Sequence, residues 1–359
     1  MNQVKTICMV VQNSMVKGGI ASVVNGYRGS QLEKDFNIIY VESYKDGGKL
    51  TKIFQALIGY FHFAKVMIVN KPDIVHIHSS FGASFYRKIP FIYMASWVKK
   101  PIINHIHASE FDLFYTNAKK EKKAKIRKVY NKCDVLIALS EEWKEKYSVI
   151  VPSEKIVVIE NYSIIHENTL KERLQRKSNN QVLFLGKISK GKGCYDIPAV
   201  VEKVQKTVPD VKFVLAGDGE IEQIRSLLKE RKVESHVLFP GWVRDASKDA
   251  ILRECDVFFL PSYNEGMPMS ILDAMGYGLP IISTIVGGIP KIVHDSENGY
   301  LFETGDIDGF STGIIQLLQN KQLQNQYCIG SHEIVKKKHT LEYHLSLLET
   351  LYKKVSTAR

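Results

Sequence analysis

Cys255-Asp-Val-Phe-Phe-Leu-Pro-Ser-Tyr-Asn-Glu-Gly-Met-Pro-Met-Ser-Ile-Leu-Asp-Ala-Met-Gly-Tyr-Gly-Leu-Pro280 decides the reading of this chain. Val257 to Leu260 is an apolar run with no polar face, as expected of a strand covered on both sides of a parallel sheet. Pro261 and Ser262 stop it. Pro268 suits the first position of a helix, where its fixed φ is preorganised and its missing N–H costs nothing. Gly276 and Gly278 are placed to close that helix. Glu265 is therefore expected on the loop before a helix N-terminus, with Asp273 about two turns into the helix. A carboxylate beside amides that can hold an anion is a site-like arrangement. Taken singly, Glu265 reads equally as a turn acid and Asp273 as a solvated helix residue.

Working outward, the same alternation of strand and helix recurs. In the first half, strands are expected at Thr6–Gln12, Asn37–Val41, Ile74–His78, Ile102–His107 (leading into Ala108-Ser109-Glu110), Val135–Ser140 and Lys155–Glu160. Ile20–Gly29, Thr51–Val69 and Glu141–Tyr147 read as helices. Residues 167–180 are polar, without a core pattern, and read as a linker. Beyond it, strands are expected at Val182–Gly186, Lys212–Ala216, Val237–Phe239, Val257–Leu260, Ile281–Thr284 and Gly299–Phe302. Helices are expected at Ile197–Thr207, Ile221–Glu230 and Lys248–Arg253. The tail spaces Leu341, Leu345, Leu348 and Leu351 as a helix does. Repeated βα units mean parallel, doubly wound sheets of the α/β class, here two Rossmann-like domains: 1–166 and 181–339.

Composition narrows the function. The 359 residues suffice for two domains. Net charge is +11, and it is uneven: 24 Lys+Arg against 14 Asp+Glu through His166, but 25 against 24 afterwards. The basic field belongs to the first half, which favours an anionic partner there. Lys119, Lys120, Lys122, Lys123, Lys125, Arg127, Lys128 and Lys132 crowd one stretch, next to the aromatic and basic Phe81–Lys100. Such runs usually make a solvated helix face, but an anionic membrane surface is a further expectation. The interleaving is too diffuse for an RNA module, so no nucleic acid is expected. Five scattered cysteines without a C-x-x-C read as buried thiols, not a disulfide framework or zinc site. Met1–Val11 is too short for a signal peptide, and no run was judged to approach the roughly 20 apolar residues of a bilayer span. The expected location is cytoplasmic, peripheral at the inner face of the cell membrane.

Two glycine-rich loops could hold phosphate. Lys17-Gly18-Gly19 follows the first strand and precedes a helix. Gly186-Lys-Ile-Ser-Lys-Gly-Lys-Gly193 follows another strand and fits G-x-x-x-x-G-K, but lacks the hydroxyl that would bind magnesium in a P-loop. His76, His78, His105 and His107 alternate along two strands, so each pair shares a sheet face. A metal is the weaker reading, since no carboxylate or cysteine completes the set.

Glu265, Gly266, Pro268 and Asp273, followed by Gly278-Leu-Pro280 and Gly287-Gly288, resemble the E-x7-E signature of family-4 retaining glycosyltransferases, with aspartate in place of the second glutamate. The resemblance covers nearly the whole chain, strongly from Gln181 to Asp306 and loosely before Asn161. It implies the GT-B fold, with a helix from about residue 340 to 359 crossing back to the first domain. It also implies sugar transfer from a nucleotide diphosphate sugar, UDP rather than GDP, to a glycan or lipid-linked hydroxyl acceptor, with no cofactor and no metal. Catalytic roles would fall to Glu265, Lys187, Lys192 and His107. Donor contacts would fall to Gly18, Gly19, Gly186, Gly266, Met267, Met269, Ser270, Asp273 and Val243. His107 would face the donor sugar, the other three histidines being structural. The rival readings are a nucleotide-sugar 2-epimerase of the same fold and a non-enzymatic nucleotide-sugar-binding or RNA-binding protein.

Overall fold

A computed structural model describes residues 4–107 and 111–357. Ala108-Ser109-Glu110 lies outside the described residues. The chain forms two compact units: residues 1–161 with 341–359, and residues 162–340.

The first unit runs β1 (Thr6–Val11), α1 (Gly19–Tyr27), α2 (Gln31–Asp35), β2 (Asn37–Glu42), α3 (Lys49–Val69), β3 (Ile74–Ser79), α4 (Ala83–Trp97), β4 (Ile102–Ile106), α5 (Lys120–Tyr130), β5 (Val135–Ala138), α6 (Glu141–Tyr147) and β6 (Ile156–Val158). The second runs α7 (Glu167–Gln175), β7 (Gln181–Leu185), α8 (Ile197–Thr207), β8 (Lys212–Ala216), α9 (Ile221–Glu230), β9 (Val237–Leu238), α10 (Asp245–Glu254), β10 (Val257–Leu260), α11 (Met269–Gly276), β11 (Ile281–Thr284), β12 (Gly299–Phe302), α12 (Ile307–Gln319) and α13 (Lys321–Lys338). The chain then returns to the first unit with α14 (Leu341–Thr357).

Each unit has one six-stranded, wholly parallel sheet. The orders are β2-β1-β3-β4-β5-β6 and β12-β11-β10-β7-β8-β9. Helices cover both faces, so the central strands read as apolar runs: β1 buries Ile7 to Val11 and β10 every residue. One face of the first sheet packs Cys8, Val10, Val75 and Ile77 against Phe63, Val66, Phe85 and Phe91 of α3 and α4. The opposite face carries His76 and His78, under Tyr27 of α1 and His344 and Tyr352 of α14.

Four expectations need correction. The segment 167–180 is not a free linker: α7 occupies most of it and belongs to the second unit, which starts at Tyr162, not after residue 166. Its anchor is Arg173, 2 % exposed, whose guanidinium donates to the carbonyls of Leu252, Cys255 and Tyr277. Pro268 is the N-cap of α11, one residue before the helix, with extended ψ. Only part of the aromatic and basic stretch Phe81–Lys100 is surface: Tyr86 and Trp97 are exposed, but Phe81, Phe85 and Phe91 are core, and Lys88 is buried, donating to Ser43 Oγ at 2.6 Å. Finally, α3 is long and apolar enough to cross a membrane by length and composition, which the sequence reading had not credited.

Candidate active site

In the second sheet the chain winds one way from β7 through β8 to β9, and the other way through β10 to β12. The direction reverses between β7 and β10, which are paired with Val182 opposite Val257 and Leu183 opposite Phe258. In doubly wound sheets ligands bind outside the carboxyl ends of the strands at this reversal. The two loops that leave those ends are Gly186–Gly193 and Pro261–Pro268, the two that carry the expected lysines and Glu265.

Close backbone approach locks the loops together. Gly193 has φ +70°, and a Cβ there would lie 1.8 Å from the carbonyl oxygen of Pro261. Tyr263 N donates to Gly191 O at 3.0 Å across the same seam. On the far side, Gly287 (φ +52°) leaves room for the Glu265 carbonyl, 1.8 Å from where its Cβ would be. Gly287→Ala combines that clash with a left-handed backbone, and is expected to cost about 2–4 kcal/mol. Thermal unfolding should show the loss, with Glu265 displaced.

Glu265 is 5 % exposed. Its Oε1 accepts from Lys192 Nζ at 2.5 Å and from Ser262 Oγ at 2.7 Å. A lysine from the loop after β7 thus meets a carboxylate from the loop after β10, 73 residues on. Lys187 is exposed on the first loop, one residue after Gly186 (φ +159°), and among the described residues no hydrogen bond or ion pair joins it to Lys192 or Glu265. Asp273 is half-buried on α11, where it forms an ion pair with Lys248 of α10. Met267 is buried and Gly266, Met269 and Ser270 are half-buried around the start of α11. Val243 is buried in the stretch before α10.

Ser262 and Lys248 were not singled out from the sequence. Ser262 sits three residues before Glu265 at a strand end, a spacing that could have raised it. Lys248 is 25 residues from Asp273 on another helix, and no local pattern connects them.

The remaining expected residues lie in the first unit. Gly18 (φ +123°) directly precedes α1, after β1. That position is also a reversal, since β1 stands between β2 and β3. His107 follows β4; its backbone N donates to Ser79 O at 2.9 Å, and its Nε2 lies 2.9 Å from His78 Nδ1. It stacks on His105 with ring centroids 4.0 Å apart. His76 Nδ1 lies 2.5 Å from the Tyr352 hydroxyl, and His344 Nδ1 donates to Glu160 O at 2.7 Å. Burial holds His76, His78, His105, His107 and His344 below the usual histidine range, and their mutual repulsion when charged adds to it for the first four. The ring nitrogens of His76, His78 and His105 fall within 4.8 Å of one another. No carboxylate or thiolate belongs to that group, and the rings of His76 and His105 lie only 6° from parallel. In stacked rings the nitrogen lone pairs point sideways and do not converge on one ion, so packing describes the array better than ligation.

Two parallel six-stranded units, with a cation and a buried carboxylate at the reversal of one, define a nucleotide-sugar glycosyltransferase of the GT-B fold. Residues 166–329 match the glycosyl transferases group 1 family, and residues 21–162 match glycosyltransferase family 4. The UDP-Gal:alpha-D-GlcNAc-diphosphoundecaprenol alpha-1,3-galactosyltransferase of Escherichia coli is 30% identical over 298 residues, 76% of this chain and 73% of that one. The N-acetyl-alpha-D-glucosaminyl L-malate synthase of Bacillus anthracis is 27% identical over 291 residues, 78% of this chain and 74% of that one. Among solved structures, sucrose-phosphate synthase from Thermosynechococcus elongatus superposes with a TM-score of 0.82 at 16% identity, covering 99% of this chain and 100% of that one. The chain belongs to glycosyltransferase family 4 and is an enzyme that transfers a sugar from a nucleotide sugar.

Proposed function

We propose that this enzyme transfers a hexose from a UDP-sugar to a hydroxyl of a lipid-linked glycan precursor, with retention and without a metal ion. The observation that carries the reading is the meeting of Lys192 and Glu265 at the reversal between β7 and β10. The E. coli relative named above uses UDP-Gal and a diphosphoundecaprenol-linked acceptor, which supports the choice of base and acceptor class.

The chemistry follows from charge. Breaking the sugar–phosphate bond leaves a nucleoside diphosphate and an electron-poor, oxocarbenium-like sugar. Lys192 and Lys187, with the amides of Gly266 and Met267 near the start of α11, stabilise the departing diphosphate without a metal. In the free enzyme Lys192 is held by Glu265. Donor phosphate then competes for that ammonium, and Glu265 turns to the sugar hydroxyls. Asp273, with Lys248 as its partner, holds the ribose, and Val243 lines the base. Gly186, Met269 and Ser270 shape the phosphate pocket. We assign attack to the front face of the sugar, guided by the leaving phosphate, with no covalent sugar–enzyme intermediate.

Donor identity is tested by thermal shift against a panel of UDP- and GDP-sugars. A UDP-hexose should raise Tm, because a ligand that binds only the folded state stabilises it by mass action. Lys192→Ala should abolish that shift, and it should also lower Tm without donor, because the buried Glu265 carboxylate loses its cation. A full-sized shift in Lys192→Ala would sink the phosphate role. Donor turnover without acceptor would instead favour an epimerase.

A further inference from the structure

α3 carries apolar side chains on two opposite faces. Gly59, Phe63, Val66 and Met67 face the core of the first unit. The helix lies so close to β2 that a Cβ on Gly59 would meet the Glu42 carbonyl oxygen at 2.7 Å. At about 100° per residue, Leu50, Ile53, Phe54, Leu57, Ile58 and Phe61 fall roughly half a turn away from that set. All six are exposed, Leu50, Phe54 and Phe61 by 83 %, 65 % and 76 %. A helix that only covers a core needs one apolar stripe, so the second stripe calls for a partner.

The surroundings identify that partner by charge. Residues 49–100 hold eight Lys and Arg against a single acid, Asp73. Just beyond the C-terminal end of α3, Lys100 Nζ donates to Lys71 O at 3.5 Å. There Ser96, Lys99, Lys100 and Lys132 line a cavity of about 380 Å³. Trp97 and Val98, 73 % and 52 % exposed, stand beside it. An exposed apolar stripe on α3 and a lysine-lined cavity beyond the end of that helix supply the two chemistries of a lipid surface: apolar side chains for acyl chains and ammonium groups for anionic headgroups.

We propose that α3 is a membrane-docking helix that lies in the plane of an anionic phospholipid bilayer, with a headgroup phosphate in the lysine cavity. It does not span, because its other face is the core of the first unit. A second copy of the chain is the weaker occupant: pairing the stripes would bring two strongly basic surfaces together. The surface takes in Trp97, Lys99 and Lys100 from the end of the aromatic and basic stretch Phe81–Lys100, whose phenylalanines are core. The inference stands whichever nucleotide the donor carries.

The test is cosedimentation of the full chain with phosphatidylglycerol-containing vesicles and with pure phosphatidylcholine vesicles. The native protein should bind the anionic vesicles, less so as salt rises. Leu57→Glu/Phe61→Glu should weaken binding by more than about a hundredfold, each change withdrawing a large apolar side chain from the interface. Lys99→Gln/Lys100→Gln should weaken it by about tenfold to thirtyfold and flatten its salt dependence. Trp97 emission should shift to the blue on binding, a shift absent in Trp97→Phe. Every substituted side chain is on the surface, and the donor-induced thermal shift should be unchanged in both double variants, which separates this proposal from the donor assignment. Native-like vesicle binding by Leu57→Glu/Phe61→Glu overturns it, leaving at most a general electrostatic patch. So does a native dimer that ignores vesicles and becomes monomeric in that variant, or binding of RNA in place of vesicles.

Discussion

Glu265→Gln is expected to lower sugar transfer by about two to three orders of magnitude while leaving the fold almost unchanged. The reason lies in what the substitution keeps. Glutamine has the same length, and its carbonyl oxygen can still accept from Ser262 Oγ, now 2.7 Å from Oε1. What disappears is the negative charge that faces Lys192 Nζ. Lys192 is one-third exposed, so its ammonium can turn to water at a cost of no more than about 1 kcal/mol. Tm should therefore fall by only a few degrees. Catalysis has no such escape, because the carboxylate is placed to hold the sugar against the leaving diphosphate as positive charge develops on the ring. Release of nucleoside diphosphate with acceptor present measures the loss. The double variant Lys192→Ala/Glu265→Gln should be little worse than the poorer single one, because residues that act as a unit are not additive. Folded Glu265→Gln enzyme with turnover within a few-fold of native would remove Glu265 from the site.

The pairing of Lys192 with Glu265 also shows what could be read in advance. Both sheets were visible as apolar runs, since a strand covered on both faces has no polar side to disguise it; β7 and β10 are such strands. Once both loops were assigned to strand ends, each site-bearing loop stood in the right place relative to its own strand. What strand spacing does not carry is neighbourhood. That β7 lies beside β10, 75 residues away along the chain at Val182 and Val257, comes from the winding of the sheet. The family resemblance, not the spacing, pointed to it. The Asp273–Lys248 pair stayed hidden for the same reason. α7 was missed for a different one: its anchor is a guanidinium that binds three carbonyls, so the segment reads as polar and unstructured although Arg173 is buried. α3 was seen as a helix, but periodicity reports how apolar residues are spaced, not how many faces they occupy. Only burial separates Phe63, in the core, from Phe61, in water.

Acid should unfold the first unit far above the pH at which its carboxylates titrate. His76 is held at about 3 and His344 at about 4, while His78 and His105 are pushed well below the ordinary value, in each case mainly by burial. His76 and His344 are therefore neutral in the folded unit at pH 5, whereas in the unfolded chain histidines take up protons below about 6.5; burial shifts His78 and His105 in the same direction. The unfolded state binds more protons, so stability is complete above about pH 6.5 and falls as pH drops towards the folded values. His76 and His344 each forfeit about 2 kcal/mol at pH 5, or about 4 kcal/mol for the two, a large part of the whole stability of an ordinary domain, and His78 and His105 act in the same direction. Urea unfolding followed by the emission of Trp143, buried in this unit, should show a midpoint that collapses between pH 6.5 and 5. His105 separates this cause from general acid lability, since neither of its ring nitrogens has a hydrogen-bond partner. His105→Phe keeps a flat ring in the stack and removes one titrating group, so it should lose less stability between pH 7 and 5 than the native chain and add no acid sensitivity of its own. A native-like loss between pH 7 and 5 in His105→Phe, or a native midpoint flat across that range, would show that the array is protonated in the folded protein and that burial does not hold it neutral.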